Sequence, residues 1–318
     1  MVYPPHHLPP PEITLDFISG PTAENILTSG SARSAPAFNL HPTLNSTTMT
    51  NKSHFIFALF SALLLAISGT DTSAATAPAT KKVLLIGNSY TYYNNMPRMI
   101  DSLAASIGEN IQCTAITKGG QTLKGHLENQ KLIDTLRHGG WDYVVIQEQS
   151  SNPAKTTREV ISNVYPYAHT LDSLAKAGSP DAKVIFYMTW GHKNGTVRKA
   201  ERSNRLMRTY SEMQARLRTS YLEMTYENNA WCAPVGMAWA KVRSEMPDLE
   251  LYNTKDKHHP SPAGSYLVAN VILSTILQKP FTSDFTSVLN QQTARYLQQV
   301  AQNTVLTNKE LLNLDSPH

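Results

Sequence analysis

Two short segments, far apart in the chain, carry the residue types that nucleophilic acyl chemistry needs. The first is Gly87-Asn88-Ser89-Tyr90-Thr91, directly after the apolar run Val83-Leu84-Leu85-Ile86. The second is Asp256-Lys257-His258-His259-Pro260-Ser261-Pro262-Ala263-Gly264. A serine hydroxyl is a poor nucleophile at neutral pH and requires a base, typically a histidine whose other ring nitrogen is held by a carboxylate. An aspartate three residues before a histidine, in a loop stiffened by two prolines, supplies both groups from one stretch. Each segment alone has a plainer reading. A serine after a strand is often only a helix cap, and the Asp256–Gly264 stretch reads equally as a surface loop with a cap before the next helix. Together, in the order Ser…Asp…His, they point to an acyl-enzyme mechanism with Ser89 as nucleophile, His259 as base and Asp256 as the group that orients it.

Such residues need elements to carry them, and the chain between them alternates strand and helix patterns. Val83–Ile86, Ile111–Thr117, Tyr143–Ile146 and Lys183–Met188 read as strands, with a weaker fifth over Asn229–Pro234. Helices are expected over Pro97–Ile107, Asn129–Arg137, Thr156–Ala177, Lys199–Arg218, Val235–Met246 and Ala263–Leu277, several ending at glycine. This rhythm calls for an α/β fold, a parallel sheet covered by helices on both faces. Ligands in such folds bind beyond the carboxyl ends of the strands, where Ser89 stands. Residues 281–318 contain an amphipathic stretch, Thr293–Gln302, and read as a helical appendage packing on the domain.

Over residues 81–280 the chain resembles the SGNH (GDSL-like) hydrolases. Gly87-Asn88-Ser89 matches the G-D-S-type nucleophile block, and Asp256, His259 and Pro260 match the D-x-x-H-P block. The resemblance implies a three-layer α/β/α sandwich with a five-stranded parallel sheet, flavodoxin-like in order (2-1-3-4-5). It makes His259 the base and His258 a bystander. It also implies an oxyanion hole built from the Ser89 N–H, a glycine N–H after strand two and an asparagine side chain after strand three. Gly120, in Gly119-Gly120-Gln121-Thr122, matches the glycine. The third block departs: Gln147-Glu148-Gln149-Ser150-Ser151-Asn152 stands where G-x-N-D is expected, and Gln149 falls at the asparagine position. Its carboxamide has the right donor chemistry; the alternative is that Gln149 only orders its loop. Glu148 shows no partner in the sequence. Tyr92, with Tyr93, and Trp190 are candidates for the pocket rim and for substrate binding, although aromatics at strand ends are often core.

Composition narrows the functions further. Hydrophobic residues make up 41% of the 318, charged residues 16%, and the net charge is only +4 with no basic block, which gives nucleic-acid binding no electrostatic footprint. No His/Cys/Glu cluster shows metal-ligand spacing, so neither metal nor cofactor is expected. Residues 1–48 are rich in Pro, Ser and Thr without apolar periodicity and read as disordered, an extension ahead of a start at Met49. Lys52, the apolar run Phe55–Ile67 and the small residues through Ala74-Ala75 have the layout of a secretory signal peptide over 49–75, too short to span a bilayer comfortably. The alternative is a membrane anchor behind a disordered tail. The expected location is therefore secreted or periplasmic, with no stable membrane span after the leader is removed. The two cysteines, Cys113 and Cys232, fall on strands two and five. In the order the resemblance implies, these are opposite edges, beyond the ~7 Å Cα separation a disulfide tolerates, so two free, buried thiols are expected. The expected partner is a small-molecule or glycan ester, in particular an O-acetyl group on a carbohydrate. A lipase or thioesterase of the same fold, or a non-catalytic glycan-binding module, are the competing readings.

Overall fold

Strand β1, Lys81–Gly87, pairs in parallel register with β2, Ile111–Thr117, on one side and with β3, Tyr143–Ile146, on the other. β4, Lys183–Tyr187, pairs with β3, and β5, Trp231–Ala233, closes the sheet, giving the order β2-β1-β3-β4-β5. These elements belong to a computed structural model that describes residues 79–196 and 207–315. The expected leader and the segment before it lie outside the described residues, as do residues 199–206 of the helix expected over Lys199–Arg218. No helix among the described residues is long and apolar enough to cross a membrane.

β1, β3 and β4 are almost wholly buried apolar runs, Val83–Ile86, Val144–Ile146 and Val184–Tyr187, as a sheet covered on both faces requires. One helical layer contains Met96–Ser106, packed on β2, and Pro262–Leu277, which also touches β5. The other contains Gln130–His138 against Tyr165–Gly178, with Tyr210–Glu227 lying on β4 and β5. The fold class is thus the expected three-layer α/β/α sandwich. β1 is flanked by β2 on one side and β3 on the other, so the connections leaving β1 and β3 diverge. The crevice at their carboxyl ends is the usual ligand site of such folds.

Two helices depart from expectation. The stretch Thr156–Ala177 forms two, Thr157–Asn163 and Tyr165–Gly178, because Pro166 lacks an N–H and its ring is incompatible with a continuous helix; Val164 turns the chain at φ −128°, ψ −59°. The next helix runs Tyr210–Glu227, started by a capping box in which Thr209 accepts from the Glu212 N–H and the Glu212 carboxylate accepts from Thr209. Cys113 and Cys232 are unpaired, on opposite edges of the sheet, with Cys232 buried and Cys113 half-buried.

Pro262–Leu277 is apolar nearly all round, and every residue from Ala263 to Ile276 is buried. Such a helix needs cover on its outer side. The cover is Gln291–Leu306, whose Ala294, Leu297, Ala301 and Val305 are fully buried. Two glutamines one turn apart on this helix then hold the preceding strand-like segment. Gln302 accepts from the Phe281 N–H (3.0 Å) and donates to the Phe281 carbonyl (2.9 Å); Gln298 does the same for Ser283 (3.2 and 2.9 Å). The C-terminal segment is therefore bonded into the core of the fold. Leu297→Ala should destabilise the protein by about 2–5 kcal/mol, the cost of a large-to-small change at a fully buried site. Chemical denaturation measures this, and an unchanged midpoint would show that the helix does not share the core.

Candidate active site

The sheet delivers Ser89 to its carboxyl edge through a tight turn. β1 ends at Gly87, where an added Cβ would stand 2.4 Å from Thr91 Oγ1 and 2.5 Å from Gln147 Oε1. Only a residue without a side chain allows that approach. Gln147 uses the space: its Oε1 accepts from the Asn88 backbone N–H (2.9 Å) and from the Thr91 hydroxyl (3.0 Å). Asn88 caps the short helix Ser89–Tyr92 by accepting from the Tyr90 N–H (3.0 Å) and donates its own amide to the Gln121 carbonyl (3.0 Å). The Gly87 carbonyl accepts from His126 Nε2 (2.9 Å). Burial lowers the His126 pKa, partly opposed by this bond, so the ring stays neutral.

The second segment arrives as a closed loop. Tyr252 and Pro260 form an antiparallel bridge at its neck, the Asn253 N–H donates to the His259 carbonyl (2.7 Å), and Lys257 adopts a left-handed conformation at φ 61°. Within it, Asp256 Oδ1 accepts from the backbone N–H groups of His258 (3.0 Å) and His259 (2.9 Å), while Oδ2 meets His259 Nδ1 at 2.8 Å. A carboxylate only accepts, so Nδ1 carries the proton and Nε2 is free to accept. Nε2 stands 2.7 Å from Ser89 Oγ. Partial burial would raise the Asp256 pKa, but the two backbone N–H groups and the His259 ring outweigh it and hold the carboxyl down at about 2. Tyr93 lies flat on the His259 ring, centroids 4.3 Å apart and planes 8° off parallel. The neighbouring Asn94 and Asn95 are both left-handed (φ 52° and 56°), and Asn94 donates to the Pro260 carbonyl (3.1 Å) and to Ser265 Oγ (2.9 Å). The nucleophile turn is thereby tied to the histidine loop.

The α/β fold with its five-stranded parallel sheet is similar to that of solved structures. A protein from Slackia heliotrinireducens described as a candidate SGNH hydrolase is similar at 27% identity and a TM-score of 0.50, over 62% of this chain and 100% of its own. A DUF4886 family protein from Bacteroides uniformis is similar at 14% identity and a TM-score of 0.56, over 72% of this chain and 95% of its own. No family model and no curated protein matches the chain. The chain has the SGNH hydrolase fold.

In an SGNH frame the remaining expected residues are placed as follows. Gly120 is left-handed (φ 68°), in the loop that Asn88 grips through Gln121. Gln149 is occupied locally. Its carbonyl oxygen accepts from the Ser151 N–H (2.9 Å), the Ser151 hydroxyl (3.0 Å) and the Asn152 N–H (3.2 Å), and its amide nitrogen donates to Ser150 Oγ (3.2 Å). This orders the loop, the alternative that the sequence left open, and leaves one amide hydrogen for an oxyanion. Tyr92 is 41% exposed, with its hydroxyl 3.2 Å from where a Gly119 Cβ would stand, so it lies on the rim. Trp190 does not. It is fully buried, stacked between Tyr90 (4.5 Å) and Trp239 (4.0 Å), and donates to the His258 carbonyl (3.0 Å). Its expected role in substrate binding is corrected: a side chain with no accessible surface supports the histidine loop from behind.

Several site residues escaped the sequence reading. The sequence marks Gln147 only as part of a departing block, and nothing in it links His126 to Gly87. His258 is half-buried, its Nδ1 3.4 Å from the Tyr90 hydroxyl and its ring 4.9 Å from that of His192, whose Nε2 in turn lies 3.2 Å from Ser150 Oγ. Glu148 proves to be well partnered. Asp256, His258 and His259 also offer donor atoms within 4.8 Å of one another, close enough for a metal ion. The Asp256–His259 pair already spends two of those groups on the link to Ser89, so the arrangement fits a proton relay better than a cation. Since the Asp256 pKa is lowered from 3.8 to about 2, its bonds stabilise the fold above that range and are lost as pH falls through about 2. Asp256→Asn should flatten the decline in Tm over this interval, whereas a decline as steep as that of the wild type would assign the acid sensitivity elsewhere.

Proposed function

We propose that the protein is an exported serine ester hydrolase that works through an acyl-enzyme and removes short acyl groups, in particular O-acetyl groups, from carbohydrates. The observation that carries the reading is the unbroken relay Asp256–His259–Ser89, with contacts of 2.8 and 2.7 Å, at the mouth of the β1/β3 crevice. In this scheme His259 Nε2 takes the Ser89 proton as Oγ attacks the ester carbon. It returns that proton to the leaving alcohol, and later draws one from the water that frees the acid. Asp256 holds the ring in the required tautomer throughout. The Ser89 and Gly120 N–H groups and the remaining Gln149 amide hydrogen are the proposed oxyanion donors.

Preference for a sugar ester is supported by the surroundings. Of the exposed large apolar side chains among the described residues, Tyr92 alone lies on the nucleophile turn, where it offers a ring face to a sugar. The leader-like pattern over 49–75 supports export.

The protein is expected to hydrolyse p-nitrophenyl acetate in preference to p-nitrophenyl octanoate and to be labelled at Ser89 by a fluorophosphonate. Ser89→Ala should lower kcat by at least about 1,000-fold and abolish labelling. Preference for octanoate would move the reading to a lipase. Absence of both turnover and labelling would leave a glycan-binding module of the same fold.

A further inference from the structure

Glu148 is an acid where strand ends of this kind would more cheaply carry an apolar or neutral residue. It follows β3, is only 1% exposed, and is reached by donors from two separate loops. Oε2 accepts from the backbone N–H of Leu123, three residues after Gly120 in the glycine loop, at 3.1 Å. Oε1 accepts from the Gln149 N–H and, at 3.3 Å, from the Asn152 side-chain amide, both in the third-strand loop. Its own N–H donates to the Tyr221 hydroxyl (3.3 Å), which fixes the residue against Tyr210–Glu227. We propose that Glu148 is a positioning residue that clamps the glycine loop to the Gln149 loop, setting the distance between the two segments that flank Ser89, and that it does so only as a carboxylate. The inference rests on those segments forming the oxyanion side of the ester-hydrolysing site.

The physical basis is acceptor count. An ionised carboxyl presents acceptor positions on both oxygens, so it can serve both loops at once. A protonated carboxyl or a carboxamide turns one oxygen position into a donor, and a donor facing the Leu123 or Gln149 N–H repels it. Burial pushes the Glu148 pKa up to about 7, opposed by the Gln149, Leu123 and Asn152 donors and by the charge of Lys155; Tyr221 is the other titratable group that faces it. Because the folded-state value is raised, Glu148 is held protonated longer in the fold than in the unfolded chain, and the stability it costs grows as pH rises from the ordinary carboxylate value of 4.5 to about 7 and is constant above that. The clamp is therefore made at the expense of stability, the pattern of a group kept for the site.

The test uses Glu148→Gln and Asn152→Ala in the whole protein. In wild type the amide proton resonances of Leu123 and Gln149 should titrate together with a midpoint near 7. Glu148→Gln should abolish that titration, and Asn152→Ala, by removing a donor, should move the midpoint upward. Glu148→Gln should also reduce kcat for p-nitrophenyl acetate by on the order of 100-fold with KM changed less than about threefold, the signature of displaced transition-state donors. Glu148→Gln kcat within about twofold of wild type, or amides that do not titrate together, would overturn the proposal. If wild type neither turns over ester nor labels with fluorophosphonate, the ester-hydrolase reading fails. The amide titration then still shows separately whether the clamp exists.

Discussion

The carboxyl edge of this sheet depends on one close approach, that of the end of β1 to the Gln147 side chain. Gly87 leaves a space that any Cβ would fill, and the carboxamide placed there accepts from Asn88 and Thr91. From that single contact the rest follows outward. The Asn88 N–H is fixed, so its side chain can cap the turn and reach Gln121; the turn then holds Ser89 where a histidine 170 positions later can meet it. A larger residue at position 87 would displace Gln147 first and the serine second, without touching any group that reacts.

The backbone plan was legible because its signals are local. Buried parallel strands are continuous apolar runs, and helices announce their ends through Pro and Gly. Ser89, Asp256 and His259 were legible because the histidine and its aspartate share one short loop and the serine follows a strand. What was not legible is what depends on contacts between distant segments. Nothing local distinguishes Trp190 as a core residue rather than a rim residue. Its burial comes from Tyr90 and Trp239, which approach from two other elements. Likewise the break at Val164 was marked by Pro166, but the amphipathic pattern ran through it.

Polar groups crowd the apolar sheet edge, and most are satisfied in pairs that join separate loops. Gln147 joins β3 to the turn after β1, Asn94 joins that turn to the Pro260 loop, and Glu148 joins β3 to the glycine loop. A buried polar group is tolerable only with its partner in place. Each such pair therefore ties one loop's position to the others', so the loops at this edge are expected to order together. Side-chain bonds between short, otherwise irregular segments take over the role that strand pairing plays lower in the sheet.

The two cysteines have a consequence of a different kind. They occupy opposite edges of the sheet and form no bridge, and burial raises both thiols, Cys232 to about 12. Thiols so rarely ionised exchange slowly with disulfides. The covalent structure of the domain is thus the same in oxidising and in reducing surroundings, and its folding calls for no thiol oxidant or disulfide isomerase wherever in the cell it takes place.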